Sequence, residues 1–150
     1  MTDPRSLLRA DFDHVVRLGT RWSDNDAYGH LNNAVYFQLF DTAITGWLNQ
    51  GVGESVTTLP ARGVAVDTRC QYLRELAFPS DAHAAVRVER LGRTSVAYSV
   101  ALFALGQDEI CAFGHWVHVY VDPVNRRPVP IPALVREMLE ASVKARGDED

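Results

Sequence analysis

Residues 23–33 read SDNDAYGHLNN, and residues 34–48 follow directly with AVYFQLFDTAITGWL. In the second stretch the apolar residues recur at the spacing that places one apolar stripe along an α-helix. Asn32 and Asn33 are favoured residues at a helix N-terminus, and Gly51 is typical of the position just after a helix ends. The sequence therefore predicts a long helix that follows a polar loop containing two aspartates.

Alternation of apolar and polar residues predicts strands elsewhere in the chain. A first strand is expected over 14–22, and four more over 64–72, 84–89, 96–102 and 110–121, with turns at 78–81, 91–94 and 106–108. A short helix is predicted over 133–144, and residues 146–150 are expected to be frayed. This order predicts the α+β class, with one antiparallel sheet of about five strands packed on one long helix.

Composition narrows the possible classes of protein. With 150 residues and 47% hydrophobic content, the chain suits one core, so a single domain over 1–150 is expected. The sequence contains no run of 18 apolar residues and no secretory leader, so no membrane partner is expected and the cytoplasm is the expected location. The net charge of −4 argues against a nucleic-acid partner, because such partners require a clustered basic surface.

Several kinds of site do not fit the sequence. Cys70 and Cys111 are far apart and form no CxxC pair, so neither a disulfide framework nor a zinc site is indicated. His115 and His118 are three residues apart on a predicted strand, which places them on opposite faces. The chain also lacks the GxSxG motif of serine hydrolases and the P-loop of nucleotide-binding proteins. No metal and no cofactor are therefore expected.

Three stretches resemble a known family: 24–33 before the long helix, 90–95 at the predicted hairpin, and 127–132 before the last helix. Together with the element order, they resemble the hotdog-fold thioesterases, specifically the 4-hydroxybenzoyl-CoA thioesterase-like acyl-CoA hydrolases. In that family a curved sheet wraps a central helix. The resemblance implies hydrolysis of a CoA thioester, with coenzyme A present only as part of the substrate. It also implies a homodimer or homotetramer whose CoA site is shared across the interface.

The resemblance implies roles for particular residues. Asp26 corresponds to the catalytic carboxylate, and backbone N–H groups near Asn33 correspond to the site that binds the thioester oxygen. A carboxylate can attack a thioester carbonyl or deprotonate a water that attacks it, and both mechanisms stay open for Asp26. A helix N-terminus offers unpaired N–H donors to the negative charge that develops on the carbonyl oxygen. His30 is a candidate for orienting the substrate or Asp26, whereas Asp24 is interpreted as a structural turn residue.

The resemblance also implies where the rest of the substrate binds. Arg93, Thr94 and Ser95 correspond to the site of the CoA nucleotide, and Arg90 is a candidate to assist them. From the sequence itself, the aromatic candidates for the wall of the acyl pocket are Tyr28, Tyr36, Phe37, Phe40 and Tyr72. The sequence does not decide which acyl group is bound, or whether coenzyme A or acyl carrier protein bears it. Two alternative functions are a thioester hydratase or dehydratase using Asp26 with His30, and a non-catalytic acyl-CoA-binding module.

Overall fold

The structure is a computed structural model and describes residues 3–147. Its main elements are β1 (His14–Leu18), α1 (Asn33–Val52), β2 (Arg62–Tyr72), β3 (Ala82–Leu91), β4 (Ser95–Ala104), β5 (Ile110–Val121) and α2 (Ala133–Gly147). Short 3-10 turns join some of them. The predicted α+β class, with one antiparallel sheet of five strands, a long helix and a short C-terminal helix, is confirmed.

The five strands form one sheet in the order β1-β3-β4-β5-β2, and every neighbouring pair is antiparallel. Side chains alternate between the two faces, so one face of the sheet packs against α1. On β4 this inward face consists of Val96, Tyr98, Val100 and Leu102, all fully buried. The main core therefore lies between the sheet and the apolar stripe of α1, as the periodicity of that helix predicts.

Both ends of α1 are set by local chemistry. The side chain of Asn32 accepts a hydrogen bond from the N–H of Ala34 at 2.9 Å, which is the arrangement of a helix N-cap. The helix ends at Gly53, whose φ of 82° lies in the left-handed region that favours glycine. Gly53 lies two residues beyond the predicted stop at Gly51, so that predicted end of α1 is wrong by two residues.

Gly114 allows α1 to approach the middle of the sheet closely. A Cβ atom at this position would lie 2.7 Å from the carbonyl oxygen of Arg69 and 2.9 Å from the ring of Phe40. Both distances are shorter than ordinary van der Waals contacts. The absence of a side chain at Gly114 therefore lets Phe40 fill the centre of the core.

Two further predicted boundaries are wrong. The first strand ends at Leu18 and not at residue 22, because Trp22–Asp24 form a 3-10 turn that the Asp24 carboxylate closes by accepting the N–H of Arg21 at 2.8 Å. The last helix continues to Gly147, and Arg146 is not frayed. Its guanidinium bonds both oxygens of the Asp13 carboxylate at 2.8 and 2.9 Å, which docks the end of α2 beside β3. Residues 148–150, also predicted to be frayed, lie outside the described part.

The strand β2 forms one edge of the sheet, and little of the described chain covers it. Of its eleven residues only Val64 and Cys70 are partly covered, and the rest are exposed. Its partner on one side is β5, and residues 3–147 provide no strand on the other side. No helix within this part of the chain is both long and apolar enough to cross a membrane.

Candidate active site

The loop before α1 is anchored by Asp24. This carboxylate is buried and accepts hydrogen bonds from the backbone N–H of Arg21 at 2.8 Å and from its guanidinium at 2.9 Å. The hydrogen bond from the Arg21 side chain lowers the pKa of Asp24 below its ordinary value. Because the carbonyl of Asp24 also accepts the N–H of Asn32 at 2.8 Å, the loop is fixed to the first turn of the helix. These contacts agree with a structural role for Asp24.

Asp26 is held differently, and part of its carboxylate is left unoccupied. Its Oδ1 atom accepts the backbone N–H of Tyr28 at 2.8 Å and that of His30 at 3.3 Å. Gly29, with φ of 82°, allows the tight turn that brings these two N–H groups to one oxygen. Within residues 3–147, Oδ2 of Asp26 has no hydrogen-bond partner. The backbone therefore fixes the orientation of the carboxylate while one oxygen stays available for chemistry.

The first turn of α1 offers one unpaired donor. The N–H of Ala34 is taken by the side chain of Asn32, and the N–H of Val35 by the Asn32 carbonyl at 2.9 Å. Asn33, the first helical residue, has no intrahelical acceptor for its own N–H, and the described chain provides none outside the helix. This donor also lies at the positive end of the helix dipole, where negative charge is stabilised.

Asp26 and Asn33 line the same cavity, which has a volume of about 390 Å³ and opens to the surface. The remaining wall is formed by the loop before α1, the first turn of α1, the last residue of β2 and the segment after it. These residues are His30, Leu31, Tyr36, Tyr72, Leu73, Arg74 and Glu75. The hydroxyl of Tyr72 donates to the carbonyl oxygen of Asn33 at 2.9 Å, which fixes the end of β2 to the helix start. The two residues that have a free carboxylate oxygen and an unpaired N–H therefore line one solvent-accessible cavity.

Residues 20–140 match the sequence model of the thioesterase-like superfamily. The chain belongs to this family. The PA5185 protein from Pseudomonas aeruginosa is 42% identical, with a TM-score of 0.85 over 89% of this chain and 94% of its own. A thioesterase from Thermus thermophilus, solved with coenzyme A and zinc, is 28% identical, with a TM-score of 0.73 over 85% and 98%.

More distant solved structures share the fold. A DHNA-CoA thioesterase from Staphylococcus aureus is 16% identical and matches with a TM-score of 0.78 over 90% of this chain and 93% of its own. The comparison with curated proteins gives no match. The resemblance to hotdog-fold thioesterases that the sequence indicated is therefore confirmed, and the protein is a thioester hydrolase.

His30 lies at the rim of the thioesterase cavity and has a partner that the sequence analysis missed. Its Nε2 atom is 3.1 Å from a carboxylate oxygen of Glu75. Glu75 is 45 positions away in the sequence, and no local pattern links it to the loop. Hydrogen bonds between the two segments bring them together, among them the Leu31 N–H to the Leu76 carbonyl at 2.7 Å and the Phe78 N–H to the Asn25 side chain at 3.0 Å. The catalytic assignment of His30 stays a prediction.

The structure separates the five aromatic residues predicted to form the acyl pocket. Tyr36 lies in the cavity wall, edge-on to Tyr72, and burial raises its pKa to about 12, so it is a neutral phenol at physiological pH. Phe40 has no exposed surface and packs in the core near Gly114. Tyr28 is 86% exposed on the turn before the helix. Phe37 lies edge-on to Phe40. Within the described protomer, the predicted aromatic residues that line the cavity are Tyr36 and Tyr72.

The predicted nucleotide-binding residues lie at the other end of the sheet. Arg90 and Arg93 are exposed, while Thr94 and Ser95 are half-buried in the β3–β4 hairpin. Ser95 is opposite Val119 of β5, whereas Tyr72, beside the cavity, is opposite Ala112. Seven residues of strand separate these positions, or roughly 23 Å at the usual rise per residue. The structure therefore does not bring the hairpin to the cavity of its own protomer.

The two histidines of β5 lie on opposite faces of the sheet. His115 pairs in register with Arg69, while His118 is buried beside Trp116 on the face that packs against α1. In residues 3–147 no three His, Cys, Asp or Glu side chains are grouped so that they could hold a metal ion. Cys70 and Cys111 are both free thiols.

Proposed function

We propose that the protein hydrolyses acyl-CoA thioesters, with Asp26 as nucleophile or general base and the Asn33 N–H as oxyanion donor. The supporting observation is that Asp26, whose carboxylate has one oxygen without a partner, and Asn33, whose N–H has no acceptor in residues 3–147, line one cavity. Thiol release from short, medium, long and aromatic acyl-CoAs tests this function. Saturable release from at least one of them is expected, and no release from any would refute the proposal.

The reaction follows from these two groups. The thioester carbonyl oxygen accepts the Asn33 N–H, and the Asp26 carboxylate either attacks the carbonyl carbon or takes a proton from an attacking water. Negative charge on the tetrahedral oxygen is stabilised by the N–H and the helix dipole. The C–S bond then breaks and CoA leaves as a thiolate that takes up a proton. If Asp26 attacks directly, water hydrolyses the resulting mixed anhydride, so both routes consume one water and yield acid and CoA.

A two-fold dimer through β2 would explain how the distant hairpin reaches a substrate. Antiparallel pairing of two β2 edges sets the Tyr72 end of one strand beside the Arg62 end of its partner. In the partner's sheet, the Arg62 end of β2 pairs with one end of β5, and the same end of β5 pairs with Ser95 of β4. A CoA molecule could then place its thioester at one protomer's Asp26 and its phosphates at the other protomer's Arg93. We propose a CoA site shared in this way.

The expected oligomer is a homodimer or a homotetramer. The exposed, unpaired β2 edge is the surface that a two-fold partner would cover. Light scattering at micromolar concentration should therefore give a mass at least twice the 16.7 kDa of one chain. An active monomer that is stable at that concentration would contradict the shared site.

Arg93→Ala should raise KM for acyl-CoA several-fold and leave kcat nearly unchanged. The Arg93 guanidinium makes no ion pair within residues 3–147, and contact with CoA phosphates would stabilise the ground and transition states equally. The backbone carbonyl of Arg93, which accepts the Ile131 N–H at 3.0 Å, is retained in the variant. The KM penalty should shrink at high salt, which screens exposed charges.

Acyl-pantetheine is the control substrate for this variant, because it lacks the nucleotide and its 3′-phosphate. Its hydrolysis should be the same in the wild type and in Arg93→Ala. An equal loss of activity on both substrates would mean that Arg93 supports the fold or the active site, and that the nucleotide binds elsewhere.

A further inference from the structure

Hydrogen bonds tie the end of β2 and the segment after it to the loop and helix that form the active site. The Leu76 carbonyl accepts the Leu31 N–H at 2.7 Å, and the Tyr72 hydroxyl donates to the Asn33 carbonyl at 2.9 Å. The first bond holds the loop, whereas the second reaches α1 at the residue whose own N–H is unpaired. Tyr72 therefore contacts the residue that we assign as the oxyanion donor.

Asn33 has no other hydrogen-bond partner outside α1 in residues 3–147. Its side chain is exposed and forms no hydrogen bond with this part of the chain. The Asn32 side chain binds the N–H of Ala34, and the N–H of Asn32 is bound by the Asp24 carbonyl, so these bonds hold the residues on either side of Asn33. Because helix ends fray, the Tyr72 hydroxyl is the contact that restrains Asn33 itself.

Tyr72 is well placed to restrain the helix, because its own position is fixed. The N–H groups of Leu73 and Arg74 both donate to the Cys111 carbonyl, at 2.8 and 3.0 Å, which pins the end of β2 to β5. The ring of Tyr72 lies edge-on to that of Tyr36, with the centroids 4.8 Å apart. Partial burial raises the pKa of Tyr72, so the hydroxyl keeps the proton that it donates. The sheet thus presents a rigid donor to the start of α1.

We propose that Tyr72 is a positioning residue for thioester hydrolysis, whose hydroxyl keeps the Asn33 N–H in place to bind the thioester oxygen. The inference rests on the proposed function, since it concerns the oxyanion donor of the same site. Such a donor stabilises the transition state only where the negative charge develops, and a displacement of about 1 Å can lower the rate by about 100-fold. Tyr72 acts through Asn33 and need not contact the substrate.

Tyr72→Phe removes the hydroxyl and keeps the ring that packs against Tyr36. It should lower kcat on the best acyl-CoA by about tenfold and change KM by less than about twofold, because the donor acts in the transition state. Tyr72→Leu, which loses both ring and hydroxyl, should lower kcat to a similar extent. A raised KM at unchanged kcat in Tyr72→Phe would overturn the proposal, because the hydroxyl would then bind the substrate. So would a loss of kcat in Tyr72→Leu alone, because the ring would then be what matters.

A double-mutant cycle distinguishes action through Asn33 from a general effect on the fold. Asn33→Pro has no N–H to position, so adding Tyr72→Phe to it should lower kcat no further. Asn33→Ala keeps the N–H, so adding Tyr72→Phe there should lower kcat about tenfold, as in the wild type. Equal losses in the two backgrounds would mean that Tyr72 does not act through this donor, and would contradict the proposal.

Hydrogen exchange of the free enzyme, followed by NMR, tests the same contact without turnover. Tyr72→Phe should speed exchange of the Ala34 and Val35 N–H groups, which are paired with Asn32, because the helix start opens more often. Amides at 49–52, in the last turn of α1, are the internal control and should exchange as in the wild type. Faster exchange without thiol release from any acyl-CoA would refute the proposed function but support the restraint by Tyr72. Unchanged exchange would overturn the inference, whatever hydrolysis is seen.

Discussion

Asn33→Pro is expected to lower kcat for thioester hydrolysis by about 100- to 1,000-fold, the usual effect of removing one oxyanion donor. Proline lacks the backbone N–H. Among the first three residues of α1, only Asn33 has an N–H for which residues 3–147 provide no acceptor. Few positions allow such a change without unfolding a helix. Proline is favoured at the first helical position, where the N–H makes no intrahelical bond.

The local backbone supports this choice. Asn32 has φ of −56° and ψ of 137°, a conformation suited to the residue before a proline. The carbonyl of Asn33, which accepts the Tyr72 hydroxyl, is unaffected by the substitution. Circular dichroism and the melting temperature should therefore stay close to those of the wild type.

Asn33→Ala is the matched control, because it removes the side chain and keeps the N–H. It should change kcat little, since the exposed Asn33 side chain is not the proposed donor. Steady-state thiol release from the same acyl-CoA gives both values. If Asn33→Pro is folded and keeps the kcat of Asn33→Ala, the oxyanion donor lies elsewhere.

The parts of the fold that the sequence predicts are those set by local chemistry. The start of α1 follows from the Asn32 cap, and its length follows from an apolar stripe that the sheet then buries. The hairpin between β3 and β4 follows from the turn residues around Gly92. Asp26 and Asn33 line one cavity because both lie close to the start of α1. Their catalytic roles, which the family resemblance implies, stay predictions.

The features that the sequence does not predict depend on contacts between distant segments. Glu75 meets His30 only because β2 ends beside the loop, and Phe40 turns into the core because Gly114 leaves space for its ring. The separation of the hairpin from the cavity depends on strand register, which a sequence pattern does not give. The prediction that Arg146 is frayed is wrong because this residue binds Asp13, which lies at the opposite end of the chain.

The burial of His118 beside Trp116 also depends on contacts between distant segments. The packing of β5 against α1 buries this histidine, and Trp116 donates its indole N–H to the Nε2 atom. The spacing of His115 and His118 does predict that they point to opposite faces. The residues that surround each histidine are known only from the folded structure.

Asp24 is the natural control for Asp26, since both are aspartates of the same loop with different surroundings. Asp24 is buried and accepts the backbone and side chain of Arg21, so Asp24→Asn should lower the melting temperature while costing much less activity per folded molecule. Asp26 is fixed by two backbone N–H groups at one oxygen, and an asparagine can keep the same contacts through its amide oxygen. The two variants therefore separate loss of stability from loss of chemistry.

The most direct test of the account is kcat of Asp26→Asn on the best acyl-CoA, measured beside the melting temperature of the same sample. The amide keeps the shape of the carboxylate but can neither attack the thioester nor deprotonate water. We expect kcat to fall by at least about 100-fold with the melting temperature unchanged. A variant that keeps more than about a third of the wild-type kcat at an unchanged melting temperature would contradict the assignment of Asp26 as the catalytic carboxylate.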